Sequence, residues 1–294
     1  HIFRQYLMAW DQAEATADYA VRTLGLRRFA ILYPNDPYGE SFMQPFWYAL
    51  VERGGEVVSA VGYDIDQTDF GEEIDHLVGP FYEGFRGERF EKRGLADFRL
   101  FPGFDAIYIP DEYARVGLIA SQLAYHEIRG VRLLGNNGWN DEQIFQAAGD
   151  QLEGGIFVDG FFASDSAPAV QSFVERFTAA HGFAPGAAEA EAYDAVRMLI
   201  WALGPGGGPG REAVRGAVAS IAGFPGVAGT VAFDGAGDGH RGLRFLQIRR
   251  REIVEAGTAT GADEGEVPPA DQGGIPPDDG FVQPAPDDGL GAPR

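Results

Sequence analysis

One stretch near the start of the chain constrains the fold more than any other: Arg28–Gly39, RFAILYPNDPYG. Its first half is a short apolar run, and its second half is a Pro/Asn/Asp turn after which Tyr38 and Gly39 open an amphipathic run. The pattern predicts a buried strand over residues 29–33 and a helix over residues 38–53. In open α/β sheets, ligands bind at the carboxyl ends of strands, in the loops that enter helices. This stretch therefore predicts a parallel α/β fold and also the place where its function lies.

The same alternation continues to about residue 162. Further strands are predicted at 56–62, 105–109, 131–135 and 155–162, and further helices at 11–24, 67–78, 112–129 and 140–149. A β-α-β-α series argues for a parallel sheet wrapped by helices. The charged, Phe-containing segment 79–103 breaks this rhythm and is predicted to be an insertion that is partly helical around 88–98.

The pattern changes after Ser164. Three helices are predicted at 167–181, 187–203 and 211–221, followed by strands at 229–233 and 243–248 that flank a turn at 234–239. The last segment, 257–294, is rich in Pro, Gly and Asp with few apolar residues, which predicts disorder.

Composition excludes several classes of protein. The chain has 294 residues, of which 45% are hydrophobic, so it can bury a sizeable core. Its formal net charge of −21 repels phosphate backbones and argues against nucleic-acid binding. It has no cysteine, which excludes disulfides, thiolate metal sites and a cysteine nucleophile. No apolar run approaches the roughly 20 residues needed to cross a bilayer.

Signals for chemistry are weak. The five histidines are scattered, and no pair has the spacing of a metal-binding helix. Ser41 lies in GESFM, which lacks the second glycine of a nucleophile elbow. Asp234 and Asp238 could suggest calcium, but no glutamate stands where a calcium loop would end. We therefore expect no catalytic centre, no metal site and no cofactor, and a protein that is not an enzyme.

Five runs in serial order resemble a known family. They are FAILYPNDPYGESF, GGEVVSAVGYDIDQTDF, DAIYIPDEYARVGLIASQL, AYDAVRMLIWAL and GTVAFDGAGDG. Together they make residues 1–255 resemble the type I periplasmic substrate-binding proteins, of which the branched-chain amino-acid binding proteins are the best known. The charged insertion and the LLGNNGWN loop are similar to one branch, the penicillin-binding protein activators.

The resemblance implies two Rossmann-like lobes of parallel sheet wrapped by helices, joined by three hinge strands and closing on a ligand between them. It further implies that the first lobe is incomplete, because family members begin with a first-lobe segment that has no counterpart here. Residues 1–164 would be the second lobe, with the insertion at 79–103. Residues 165–238 would be the returning part of the first lobe, 239–256 its closing strands and 257–294 the disordered tail.

The family pattern implies ligand contacts in the loops after three strands. Tyr38 follows the first strand, and in the family a tyrosine after this turn packs on ligand; the alternative is a ring that only fastens the start of the helix. Asp111 and Tyr113 follow the 105–109 strand. Either residue could touch ligand, although the simpler role for Asp111 is to cap the following helix.

The third loop carries Asn136, Asn137 and Trp139. The indole of Trp139 could stack on a ligand between the amides. Branched-chain amino-acid binders place a glutamate near Asn137 to hold the ligand's ammonium, and an amide lacks the charge for that pairing. The ligand class is therefore left open between amino acids and amide-like molecules.

Two functions follow from the resemblance. The first is a cell-envelope solute-binding protein that clamps a small polar or amphipathic ligand for a membrane permease of the ABC type. The alternative is an interaction module that contacts a peptidoglycan synthase. Segment 79–103 would then be its docking surface, unless it is simply a packed satellite helix. Either function implies a periplasmic or cell-envelope location, with an export signal or lipid anchor that could precede His1.

Overall fold

The computed structural model describes residues 2–82, 103–204 and 210–258. Most of the predicted insertion at 79–103, and nearly all of the predicted tail at 257–294, lie outside these residues. Within the described part of the chain, no helix is long and apolar enough to span a membrane.

A seven-stranded sheet forms the larger part of the fold, in the order β10-β9-β5-β4-β3-β1-β2. The five neighbouring strands β5-β4-β3-β1-β2 run parallel. At the other end of the sheet, β9 pairs antiparallel with β5, and β10 pairs antiparallel with β9. The strands are β1 (Arg28–Pro34), β2 (Glu56–Tyr63), β3 (Ala106–Ile109), β4 (Arg132–Gly135), β5 (Ile156–Asp159), β9 (Arg244–Arg249) and β10 (Glu252–Thr258). The predicted β-α-β series with a parallel sheet is confirmed.

Helices cover both faces of this sheet, and alternate residues of each strand serve the two faces. Phe29 and Ile31 pack toward one set of helices, while Ala30 and Leu32 pack toward the other. The first set is α1 (Ala9–Asp18), which continues as a π-helical turn over Tyr19–Thr23, and α2 (Pro37–Glu52). The second set is α3 (Gly71–Tyr82), α4 (Tyr113–Tyr125) and α5 (Ile144–Ala148).

A second, smaller sheet is antiparallel and has three strands in the order β6-β7-β8. Its strands are β6 (Ala222–Gly226), β7 (Gly229–Phe233) and β8 (Gly239–Arg241), and the helices α6 (Pro168–His181), α7 (Ala187–Leu203) and α8 (Arg211–Ala219) precede them. The three predicted helices are confirmed.

The turn at 234–239 joins β7 to β8, and these two strands pair with each other. The strand expected at 243–248 is β9, and it joins β5 in the larger sheet. The sequence did not indicate β6 or β8 because AGFPG has no period-2 alternation and β8 has only three residues.

Three short connections run between the sheets and meet at Arg241. Arg4 forms an isolated β-bridge with Asp238. Gly160 follows the end of β5 and packs closely on Arg241, because an added Cβ at Gly160 would lie 2.9 Å from the Arg241 Cδ. The buried Arg241 guanidinium donates to the carbonyl oxygens of Gln5 and Ala228. This single side chain therefore ties the crossing segments together.

A candidate ligand-binding site at the carboxyl edge of the sheet

The loop after β1 is shaped by a helix cap and a required glycine. The Asp36 carboxylate accepts the Gly39 N–H at 2.8 Å, and Pro37 occupies the first turn of α2, where a missing N–H costs nothing. A Cβ at Gly39 would lie only 1.9 Å from the Pro34 carbonyl oxygen. This geometry holds Tyr38 in the first turn of α2 at the carboxyl edge of the sheet.

Tyr38 is partly exposed and firmly oriented. Its hydroxyl accepts an N–H from the Asn136 side chain at 2.8 Å, and its ring meets Phe42 edge to face at 5.1 Å. The residue retains 37% of its exposure. Burial of the hydroxyl raises the pKa of Tyr38, so the phenol stays neutral at physiological pH. The side chain thus offers an aromatic surface and a neutral hydroxyl next to an amide.

Asn136 is buried beneath this edge, which corrects the prediction that its side chain lines the cleft. Its amide oxygen accepts the Gly138 N–H at 3.2 Å while its N–H₂ holds Tyr38. The neighbouring Asn137 donates its backbone N–H to the Gln12 side chain of α1 at 2.9 Å, and its own side chain is partly exposed. Of the two amides, Asn137 is the one whose side chain is available to a ligand.

Asp111 is also fully buried and acts inside the protein. Its carboxylate accepts the Tyr63 hydroxyl at 2.6 Å, the Arg115 Nη2 at 2.8 Å and the Glu112 N–H at 2.7 Å. The prediction that Asp111 contacts ligand from the loop is therefore corrected, because donors from Tyr63, Glu112 and Arg115 saturate a carboxylate that is fully buried. Burial and the Asp111 charge raise the pKa of Tyr63.

Tyr113 and Glu112 flank this buried carboxylate at the start of α4. Tyr113 is partly buried and packs on the core below the helix, and Glu112 is exposed. The residue as a whole is exposed, but partial burial of its carboxyl group and the nearby Asp111 charge raise the pKa of Glu112. Tyr113 thus remains a candidate for ligand contact, with Glu112 beside it.

Trp139 does not reach the cleft, and the prediction that its indole is exposed there is wrong. The ring is fully buried, and Nε1 donates to the Ile109 carbonyl oxygen at 3.1 Å. A Cβ at Gly135 would lie 2.2 Å from the ring, so the indole fills space that this glycine leaves open. The short 3₁₀ turn Asn137–Trp139 directs the ring downward into the core.

Asn140 connects two loops of the candidate site. Its amide nitrogen donates to the Asp159 carboxylate at 2.7 Å and to the Phe161 carbonyl oxygen at 2.9 Å, at the end of β5. Burial raises the pKa of Asp159 to about 6, although hydrogen bonds from Asn140, Phe161 and Gly160 oppose the shift. This contact links the loop after β4 to the crossing that leaves β5.

Three supporting residues were missed by the sequence analysis: Gln12, Tyr63 and Arg115. Arg115 lies four positions after Asp111, a spacing at which helical charges pair, so a signal was present. Gln12 and Tyr63 are distant in sequence from their partners, and no local pattern pointed to them. Among the described residues, no group of three or more His, Asp or Glu side chains is placed to hold a metal ion.

The arrangement is suited to binding. The partly exposed groups at this edge are the rings of Tyr38 and Tyr113 and the side-chain amide of Asn137, which lie over the buried hydrogen-bond network of Asp111 and Asn136. An α/β sheet with polar loops at its carboxyl edge, joined by short crossings to a second α/β unit, is the architecture of type I periplasmic binding proteins, here with an incomplete first lobe.

Comparison with a family model identifies the family. The model described as "Periplasmic binding protein" matches residues 2–78 and 113–252. The chain therefore belongs to the periplasmic binding protein family. No curated protein sequence matches it.

Solved structures show the same fold. A leucine binding protein from Thermotoga maritima superposes with a TM-score of 0.68 at 22% identity, covering 86% of this chain and 66% of that one. An ABC transporter substrate-binding protein from Sphaerobacter thermophilus superposes with a TM-score of 0.71 at 22% identity, covering 86% of this chain and 65% of that one. A solute binding protein from R. palustris in complex with benzoate superposes with a TM-score of 0.67 at 19% identity, covering 87% of this chain and 65% of that one.

The chain spans slightly less than two thirds of the length of these matched structures. At such identities the superpositions establish the fold. The domain boundaries and the activator branch stay predictions.

Proposed function

We propose that this chain is the larger part of a solute-binding protein that closes on a small ligand and passes it to a membrane permease of the ABC type. The observation that carries the proposal is the placement of Tyr38 at the carboxyl edge of the sheet. There Asn136 holds the hydroxyl while part of the ring stays open. Three of the matched structures are described as ABC transporter components or as a leucine binding protein, which supports this reading.

Tyr38, Tyr113 and Asn137 are proposed to contact the ligand from this lobe. Two aromatic rings and an amide suit a small molecule with an apolar body and a hydrogen-bonding end. Asn137 carries no charge, so a ligand ammonium would need an anionic partner elsewhere. Glu112 is the first exposed carboxylate that follows β3 in the sequence. The location proposed for this activity is the periplasm or cell envelope.

Ligand binding can be tested by a thermal-shift screen on the product of the whole reading frame. The probes are leucine, isoleucine, benzoate and a matched set of amides, each at millimolar concentration. A ligand at 100 times its Kd that binds only the folded state adds about 2.7 kcal/mol, which raises Tm by roughly 5–10 °C for a domain of this size. A well-folded protein that no probe stabilises would count against transport of these ligand classes.

A further inference from the structure

The loop after β4 contains a chemically labile dipeptide. Asn137 is followed by Gly138, whereas the other asparagines of the chain, Asn35, Asn136 and Asn140, are each followed by a residue with a side chain. Asparagine is thermally labile, and it loses ammonia most readily before glycine. The reason is that no Cβ hinders the approach of the next backbone nitrogen to the side-chain carbonyl carbon. Asn137 is therefore the asparagine of this chain best placed by sequence for a spontaneous covalent change.

The packing around Gly138 explains why a glycine stands at this position. A Cβ at Gly138 would lie 2.6 Å from the Asp111 carbonyl oxygen and 3.1 Å from the Asn136 Oδ1. The first of these distances is a clash with backbone, so any larger residue would push apart the loops that follow β3 and β4. The close approach of these two loops thus requires the residue that also makes Asn137 reactive.

The reaction joins the Gly138 nitrogen to the Asn137 Cγ. As this bond forms, a succinimide ring closes and the bond between Cγ and Nδ2 breaks. The side-chain nitrogen leaves as ammonia and takes with it the proton that the Gly138 nitrogen gives up. Water then opens the ring at either carbonyl, which yields aspartate or isoaspartate. Water is the only co-reactant, and the product carries one more negative charge than the asparagine.

In the folded protein the Gly138 nitrogen is held away from this reaction. Its N–H donates to the Asn136 side-chain oxygen at 3.2 Å. Gly138 also lies inside the 3₁₀ turn Asn137–Trp139, which two backbone hydrogen bonds close. The Trp139 N–H donates to the Asn136 carbonyl oxygen at 3.1 Å, and the Asn140 N–H donates to the Asn137 carbonyl oxygen at 3.0 Å. Attack on Cγ therefore requires local opening of the turn.

We infer that Asn137–Gly138 is a self-modification site, which converts to aspartate or isoaspartate at a rate set by the hydrogen bond from the Gly138 N–H to Asn136. The side chain of Asn137 is partly exposed, so water has access to the reacting group. The added charge falls on the surface assigned to ligand, and that consequence rests on the proposed function. The rate of conversion is independent of any ligand.

The test follows the conversion by peptide mass spectrometry during incubation of the product of the whole reading frame at mildly alkaline pH. Asn136→Ala removes the acceptor of the Gly138 N–H, whereas Asn136→Asp keeps an acceptor oxygen at the same position. Tyr38→Phe is the matched control, because it removes the other side-chain contact of Asn136 and leaves the Gly138 hydrogen bond in place. The original protein unfolded in urea gives the rate in the absence of the turn.

We expect Asn137 to convert at least about tenfold more slowly in the folded protein than in the unfolded chain, since the turn must open first. Asn136→Ala should convert about three- to tenfold faster than the original protein, which is the factor that one hydrogen bond supplies. Asn136→Asp and Tyr38→Phe should stay within about twofold of the original rate.

Three results would overturn the inference. The first is an unchanged rate in Asn136→Ala, and the second is an equal acceleration by Tyr38→Phe, which would trace the effect to lost stability and not to the Gly138 hydrogen bond. The third is equal conversion in the folded and unfolded chain, or conversion at Asn35 or Asn140 before Asn137.

Discussion

The side-chain amide of Asn136 donates to the hydroxyl of Tyr38 across 2.8 Å, and this contact joins the loops that follow β4 and β1. The two residues are 98 positions apart in sequence. Asn136 is buried, whereas Tyr38 is partly exposed, so the buried amide fixes the direction of a surface ring. The pair is the link between the folded core and the proposed ligand surface.

The Tyr38–Asn136 contact should appear as a coupling energy. Tyr38→Phe removes the hydroxyl, and Asn136→Ala removes the amide together with the acceptor for the Gly138 N–H. We expect Asn136→Ala to cost about 1–3 kcal/mol and the double-mutant cycle to yield a coupling of about 1 kcal/mol. Urea unfolding of the four proteins measures both quantities. If the effects of the two single changes on the free energy of unfolding are strictly additive, the contact does not contribute to stability.

Removing the Asp111 carboxylate should lower the free energy of unfolding by more than Asn136→Ala does. Asp111→Ala would leave the Tyr63 hydroxyl and the Arg115 guanidinium facing a buried void. We expect a loss of about 3–5 kcal/mol in the free energy of unfolding, the usual cost of breaking one side of a buried charge pair. Glu175→Ala on the exposed face of α6 is the control and should change stability by no more than about 0.5 kcal/mol. Similar losses in both variants would contradict the buried role of Asp111.

The packing of Trp139 on Gly135 can be tested with a matched pair of glycines. Gly135→Ala places a Cβ 2.2 Å from the indole and should destabilise by at least about 2 kcal/mol. Gly216→Ala adds a methyl group inside α8 with nothing within 4 Å, and should stabilise by about 0.5–1 kcal/mol. Thermal unfolding of the two variants should therefore move in opposite directions, and a tolerated Gly135→Ala would place the indole elsewhere.

Asp159 should make stability depend on pH in a defined direction. Burial raises its pKa to about 6 in the folded state, above about 3.9 for an unfolded aspartate. The folded state therefore holds this proton more tightly. The resulting stabilisation is fully present below about pH 4 and is lost as the pH rises to about 6.

Asp159→Asn removes this titration. The stability of the variant minus that of the original protein should rise by about 2–3 kcal/mol between pH 4 and pH 7.5. Urea unfolding of both proteins at the two pH values measures this stability difference. The contributions of the other titrating groups cancel because they are the same in both proteins. A difference that stays constant with pH would show that Asp159 titrates alike in the folded and unfolded states.

The architecture could be predicted because its strands and helices have distinct local sequence patterns. Buried strands such as Ala106–Ile109 and amphipathic helices such as Ala187–Leu203 differ in period and are bounded by Gly, Pro and Asp. The strand pairing of β9 could not be predicted in this way. Its partner β5 lies far back in the sequence, and a period-2 pattern does not say which edge a strand joins.

The positions of the candidate site loops were predicted, but the directions of their side chains were not. Parallel strands do bring Tyr38, Asp111 and Asn136 to one edge of the sheet. Whether each side chain points up to solvent or down into the core depends on contacts with distant residues, such as Tyr63 for Asp111 and Ile109 for Trp139. Position after a strand suggested cleft contacts for Asp111, Asn136 and Trp139, and this failed where a buried partner was available.

The most direct test of the proposed function is the affinity of the whole reading-frame product for the best ligand of the thermal-shift screen, with Tyr38→Ala compared to Tyr125→Ala. Both variants remove an aromatic ring from a first or last helical turn, but only Tyr38 lies at the carboxyl edge of the sheet. We expect Tyr38→Ala to raise the Kd measured by calorimetry at least about tenfold, which is 1.4 kcal/mol of binding free energy. Tyr125→Ala should leave the Kd unchanged. Equal affinities, with both variants folded, would contradict a ligand site at Tyr38.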